Sequence, residues 1–190
     1  MITHLGDLTI SFPMMIGILF WLWRERVSYA VWWLIAVVIC VGLTTVAKVY
    51  LMGCPLPDLQ VPSGHTSLST LTYGGITLLL ATHLPNPKRL LIIIAGVLLI
   101  SAIGVSRIVV HAHNLTEVCV GLTIGLLSLV VFAQGYFRSQ LLQAHSGRLR
   151  FASVGLVVII LVISGRGIHA EDHAHHIMLK LSQYFTNDCR

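Results

Sequence analysis

The chain has 190 residues, 56% of them hydrophobic and only 10% charged, with a mean hydropathy of +0.86. A soluble globular domain carries about a quarter charged residues, so this composition excludes one and leaves no polar stretch for a separate soluble module. The net charge of +5 implies neither nucleic acid nor a soluble partner, because the basic residues sit in short connections between apolar runs, without the interleaved aromatics of a nucleic-acid surface.

A membrane span needs about 20 apolar residues, with allowance for shorter tilted ones. In chain order such runs occupy Leu8–Trp23, Tyr29–Tyr50, Thr66–Leu84, Leu90–Arg107, Leu115–Phe137 and Phe151–Gly165. Lipid cannot satisfy unpaired backbone groups, so the expected fold class is all-α, a polytopic membrane protein of six transmembrane helices. His4 and Asp7 precede the first run without a Lys/Arg segment before it or a small-residue cleavage pattern after it. That run therefore reads as a retained span rather than a signal peptide. Residues 1–168 are expected to form one membrane domain, followed by a short tail at 169–190.

The connections set the orientation. Arg24 and Arg26, Lys88 and Arg89, and Arg138, Arg148 and Arg150 fall on one side of a six-span chain. The positive-inside rule puts that side in the cytoplasm. Both termini then lie outside, on the periplasmic face if the membrane is a bacterial inner membrane.

The same count gathers the chemically suggestive residues. Lys48 closes the second span, Pro62-Ser63-Gly64-His65 opens the third, Ser106-Arg107 closes the fourth, and His113 and Glu117 open the fifth. Even numbers of crossings separate them, so all fall on the outer face, at the outer ends of the second to fifth helices. Such groups suit phosphoryl transfer from an ester, which needs cations and N–H donors on the phosphate oxygens, a nucleophile in line and an acid for the leaving oxygen. The start of the third helix offers a phosphate seat, with Gly64 leaving room for close approach. Lys48 and Arg107 supply charge, the latter as a bidentate fork. With the fifth helix beginning near His113, Glu117 would share its face and hold one imidazole nitrogen, leaving the other basic. His65 is the candidate general acid. Taken singly, each has a plainer reading: Ser63 as a helix N-cap, Arg107 as a snorkelling interfacial arginine, His113 and Glu117 as an ordinary pair at a helix start.

With these runs quoted, the chain resembles the type 2 phosphatidic acid phosphatase family, integral-membrane phosphatases that share a fold core with vanadium haloperoxidases. The family signature is Lys-x6-Arg-Pro, Pro-Ser-Gly-His and Ser-Arg-x5-His-x3-Asp. Here the second part is intact as Pro62-Ser63-Gly64-His65, and the third runs from Ser106-Arg107 through His113 to Glu117, with Glu for Asp. The resemblance spans roughly residues 48–117. It implies that His113 is the phosphorylated nucleophile, Glu117 its orienting carboxylate and His65 the acid. Lys48, Ser63, Gly64, Ser106 and Arg107 would hold the phosphate, with no metal or cofactor. The first part departs from the pattern. Counting from Lys48, Pro55 and Leu56 stand at the Arg-Pro positions, or Cys54-Pro55 with one deletion. Either way one arginine is missing. Spacing from Arg107 selects His113 over His111, which reads as a substrate-side or interfacial residue.

The expected function is hydrolysis of a lipid phosphomonoester or diphosphate, of phosphatidic acid, phosphatidylglycerol phosphate, polyprenyl diphosphate or lipid A type. The substrate tail would stay in lipid, because the outer loops are too short for a lid. Alternatives are a lipid-to-lipid phosphotransferase on the same site and a non-catalytic lipid-phosphate binder or transporter. In the tail, His169, His173 and His176 fall at helical spacing, which suits a metal site but more simply an interfacial amphipathic helix with Ile177, Leu181 and Tyr184 toward lipid. Cys40 and Cys119 lie within apolar spans and read as packing residues. Cys54 and Cys189 fall on the outer side, where a disulfide between them is chemically open.

Overall fold

An apolar segment deprived of water must satisfy its backbone internally, and among the described residues it does so entirely as helix, with no strand. The structure, a computed structural model, describes residues 8–53 and 61–141. The helices are α1 (Leu8–Glu25), α2 (Val27–Gly53), α3 (Gly64–Thr82), α4 (Asn86–Val109) and α5 (Leu115–Leu141). The expected span at 151–165, the histidine-bearing tail and the Cys54 and Cys189 positions lie outside the described residues.

Four of the five helices run past the apolar stretches that announce them. The polar connection expected at 24–28 contracts to one residue. Arg26 donates its N–H to the Leu22 carbonyl at 2.7 Å, while its own carbonyl accepts from Tyr29 and Ala30. α1 then folds back on α2, and the indole N–H of Trp33 reaches the Met15 carbonyl at 3.1 Å. α4 starts behind Pro85, with a further proline in its first turn, where a missing N–H costs nothing.

Val27–Met52, Asn86–Val109 and Leu115–Leu141 are each long and apolar enough to cross a membrane. α3 falls below that mark for a physical reason. It lies at the centre of the bundle, touching all four other helices, and its Ser and Thr side chains face protein rather than lipid. Their hydroxyls return to carbonyls one turn back: Ser69 to His65 at 2.5 Å, Thr70 to Thr66 at 2.6 Å and Thr72 to Leu68 at 2.8 Å. Large apolar side chains such as Phe12, Val38, Leu91, Leu98 and Leu127 point outward instead, as a lipid-facing surface requires.

Helices already in lipid gain little from the hydrophobic effect on associating, so close packing carries the bundle. Backbone meets backbone where α5 packs on α3. Gly121 and Gly125 lie one turn apart, and a Cβ at either would stand 2.5 and 2.6 Å from the carbonyl oxygens of Ser63 and Ser67. At the other end the contacts are aromatic. Trp33 meets Phe132 edge-on at 5.0 Å, and Tyr29 meets Tyr136 at 4.6 Å. The bundle is thus bulky at the α1–α2 link and fine-grained at the start of α3.

The α3–α5 seam has a direct test. Gly125→Ala forces a methyl against backbone and is expected to cost about 1–3 kcal/mol, read as a lower unfolding temperature in detergent. Gly42→Ala, where an added Cβ meets nothing within 4 Å, should show no such loss.

Candidate active site

The start of α3 is built by its own cap. Ser63 sits in extended backbone, φ −69° and ψ 106°, and its Oγ accepts from the Thr66 N–H at 3.4 Å and the Thr66 hydroxyl at 3.0 Å. Its own N–H donates to the Glu117 carbonyl at 3.1 Å. Ser63 is fully buried, and both its hydroxyl and its amide are engaged within the protein. The plainer reading of this residue, an N-cap, is therefore realised. The first amides of α3 have no acceptor inside the helix and sit at the positive end of its dipole. A Cβ on Gly64 would stand 3.2 Å from Lys48 Nζ, so the bare glycine is what lets that ammonium lie against the helix start. His65 follows in the first turn, partly buried.

The end of α4 closes in a Schellman motif. The His111 N–H donates to the Ile108 carbonyl at 3.0 Å and the Ala112 N–H to the Arg107 carbonyl at 3.1 Å. His111 takes the left-handed position with φ 56°, one that histidine adopts more readily than most side chains. Its side chain is exposed; its backbone makes the turn. The His113 N–H also donates to the Arg107 carbonyl, at 3.3 Å, tying the two residues through the main chain. Arg107 itself is 9% exposed. The Ser106 hydroxyl turns back to the Ile103 carbonyl at 2.7 Å.

α5 begins at Leu115, where the fifth apolar run was expected to begin. His113 lies two residues ahead of it, and Asn114 takes the N-cap. Asn114 Oδ1 accepts from the Glu117 N–H at 3.1 Å, and Glu117 Oε2 accepts from the Asn114 N–H at 3.2 Å. This is a reciprocal capping box with Asn in the first position. The same Oε2 lies 2.7 Å from His113 Nδ1, although His113 precedes the helix. This contact suits the ring tautomer that carries its proton on Nδ1, donating to a carboxylate, which leaves Nε2 as the acceptor nitrogen of a neutral imidazole. Glu117 is 3% exposed, and burial keeps water from competing for its oxygen.

Lys48, Ser63, Gly64, Arg107, His113 and Glu117 are thus joined in a chain of contacts at one end of the bundle, with His65 and Ser106 on the adjoining turns. Two residues that position the site escaped the sequence reading. Asn114 was signalled by Asn-x-x-Glu ahead of an apolar run, and Gly121 by its spacing to Gly125.

The chain matches the family model described as PAP2 superfamily over residues 47–141, half of its length. It is 26% identical over 138 residues to an uncharacterized 22.5 kDa protein in the cps region of Klebsiella pneumoniae, a stretch covering 70% of this chain and 66% of that protein. It is 36% identical over 73 residues to phosphatidylglycerophosphatase B of Bacillus subtilis, covering 37% of this chain and 36% of that enzyme. The chain therefore spans just under two thirds of the first relative and about a third of the second. No solved structure matches it.

The cap is testable apart from any activity. Asn114→Ala is expected to cost about 1 kcal/mol of stability, whereas Asn114→Asp, which keeps an accepting oxygen, should melt close to the parent.

Proposed function

The chain belongs to the PAP2 superfamily, and from that premise we propose that it is an integral-membrane lipid phosphatase acting through a phosphohistidine without a metal. The observation that carries this reading is the 2.7 Å contact between His113 Nδ1 and Glu117 Oε2. It suits the tautomer that leaves Nε2 nucleophilic.

In the proposed reaction the phosphate of a lipid ester settles over the start of α3. Lys48 and the first amides of α3 take up its charge, and Arg107 contributes its fork. Nε2 of His113 attacks phosphorus, forming the N–P bond as the ester P–O bond breaks. His65 gives its proton to the departing lipid oxygen. Glu117 steadies the positive charge that develops on the imidazole. Water then attacks the phosphohistidine, losing a proton to His65. The P–N bond breaks, and inorganic phosphate leaves with His113 and His65 restored. Ser63 serves this scheme as the cap that fixes the helix start, and Ser106 as a neighbour of Arg107 in the last turn of α4.

The site would lie on the outer face. Arg24, Arg26, Lys88, Arg89 and Arg138 gather at the opposite end of the bundle, which the positive-inside rule assigns to the cytoplasm. In a bacterium the reaction would then take place on the periplasmic side of the inner membrane. The Bacillus relative is named for phosphatidylglycerol phosphate, which supports a glycerolipid phosphate as the first substrate to try.

Phosphate release from such lipids in detergent tests the mechanism. His113→Ala is expected to lower kcat by about a thousandfold or more, and His65→Ala by about a hundredfold or more. His65→Ala should retain the parent's melting profile, and His113→Ala, which loses a partner of the buried Glu117, should stay folded with a lower melting temperature. Labelled substrate should leave an acid-labile, base-stable phosphate on the parent and none on His113→Ala. Undiminished turnover in His113→Ala would defeat the scheme. Label recovered in a second lipid instead of water would make the chain a phosphotransferase.

A further inference from the structure

Beneath Lys48 runs a line of buried polar groups that take no part in the phosphoryl transfer itself. Cys40, Thr44 and Lys48 lie four residues apart on α2 and so share one stripe of that helix. The stripe faces the first turns of α3. Ser67 Oγ donates to the Gly64 carbonyl at 3.0 Å, so its single proton is committed, and Thr44 Oγ1, 3.0 Å away, must donate to Ser67 Oγ. The Cys40 thiol reaches the Ser67 carbonyl at 3.6 Å. Thr44, Ser67 and Cys40 are all buried. A directional chain thus runs from α2 through two hydroxyls to the carbonyl of Gly64, the residue against which Lys48 Nζ lies.

Lysine is a point charge on a flexible stem, without the fixed fork of arginine. The first signature element here lacks its arginine, so the geometry of phosphate capture depends more heavily on where the stem of Lys48 starts. α2 leans chiefly on α5 and α1 and meets α3 over a smaller contact. The hydroxyl pair is therefore well placed to set the height of α2 against α3. We propose that Thr44 and Ser67 are positioning residues that hold Lys48 over the start of α3 for phosphate binding. This rests on the phosphatase reading given above.

The experiment uses the full chain in detergent, with a lipid phosphate as substrate and inorganic phosphate as the binding probe. Thr44→Val keeps the shape and removes the donor. It is expected to raise KM and the phosphate Kd about three- to tenfold, with a smaller fall in kcat. Thr44→Ser should restore both constants. In a Lys48→Met background, Thr44→Val should change neither further, because the effect passes through the ammonium. Ser67→Ala gives the same comparison should Thr44→Val not fold. Parent-like KM and Kd in Thr44→Val, or an equal shift in the Lys48→Met background, would overturn the inference and leave the phosphatase reading intact. A parent chain that neither releases nor binds phosphate would overturn both.

Discussion

Everything at the functional end of this bundle depends on how closely α5 can approach the start of α3. The Ser63 amide donates to the Glu117 carbonyl at 3.1 Å, and the Ser63 carbonyl passes so near Gly121 that a Cβ there would overlap it. Two segments far apart in sequence are therefore joined main chain to main chain. Side chains can adopt other rotamers, but a backbone seam of this kind has one arrangement. The start of α3 and the histidine ahead of α5 inherit their separation from it.

Glu117 sits where that seam meets the chemistry. One carboxylate oxygen caps the helix and holds the imidazole of His113. A buried polar group in a low-dielectric setting is costly when left unpaired and strong when satisfied. Here the helix end and the histidine satisfy the same oxygen. The longer reach of Glu over Asp suits this double contact, since a glutamate at the third helical position is what a capping box uses. On the far side, the Arg107 carbonyl receives the amides of Ala112 and His113, so the loop bearing the histidine is anchored at both ends.

What the sequence revealed and what it hid divide along a physical line. The five described helices and their order were legible because spanning length and apolar content are local properties. The pairing of His113 with Glu117 was legible because a four-residue spacing has few geometric meanings near a helix start. Helix ends were less so: caps such as Asn114 and the left-handed turn at His111 depend on single residues that hydropathy averages away. Least legible was whatever needs a partner helix. Nothing near Lys48 in sequence says that its ammonium lies against Gly64. Nor does the sequence near Ser63 say that its amide donates to the Glu117 carbonyl of α5, while its hydroxyl accepts from Thr66 within α3.

The hydroxyl-rich interior of α3 bears on how that helix is held in lipid. Seven Ser and Thr residues in a nineteen-residue helix make it a weak candidate for partitioning into lipid by itself. Its polar face becomes tolerable as hydroxyls such as those of Ser67, Ser69, Thr70, Thr72 and Thr82 turn back on the helix and neighbouring helices close over it. A strongly apolar neighbour such as α2 or α4, packed against α3, lowers the cost of carrying those hydroxyls into lipid. The helix that carries Gly64 and His65 at its start thus depends on its neighbours for its place in the bilayer.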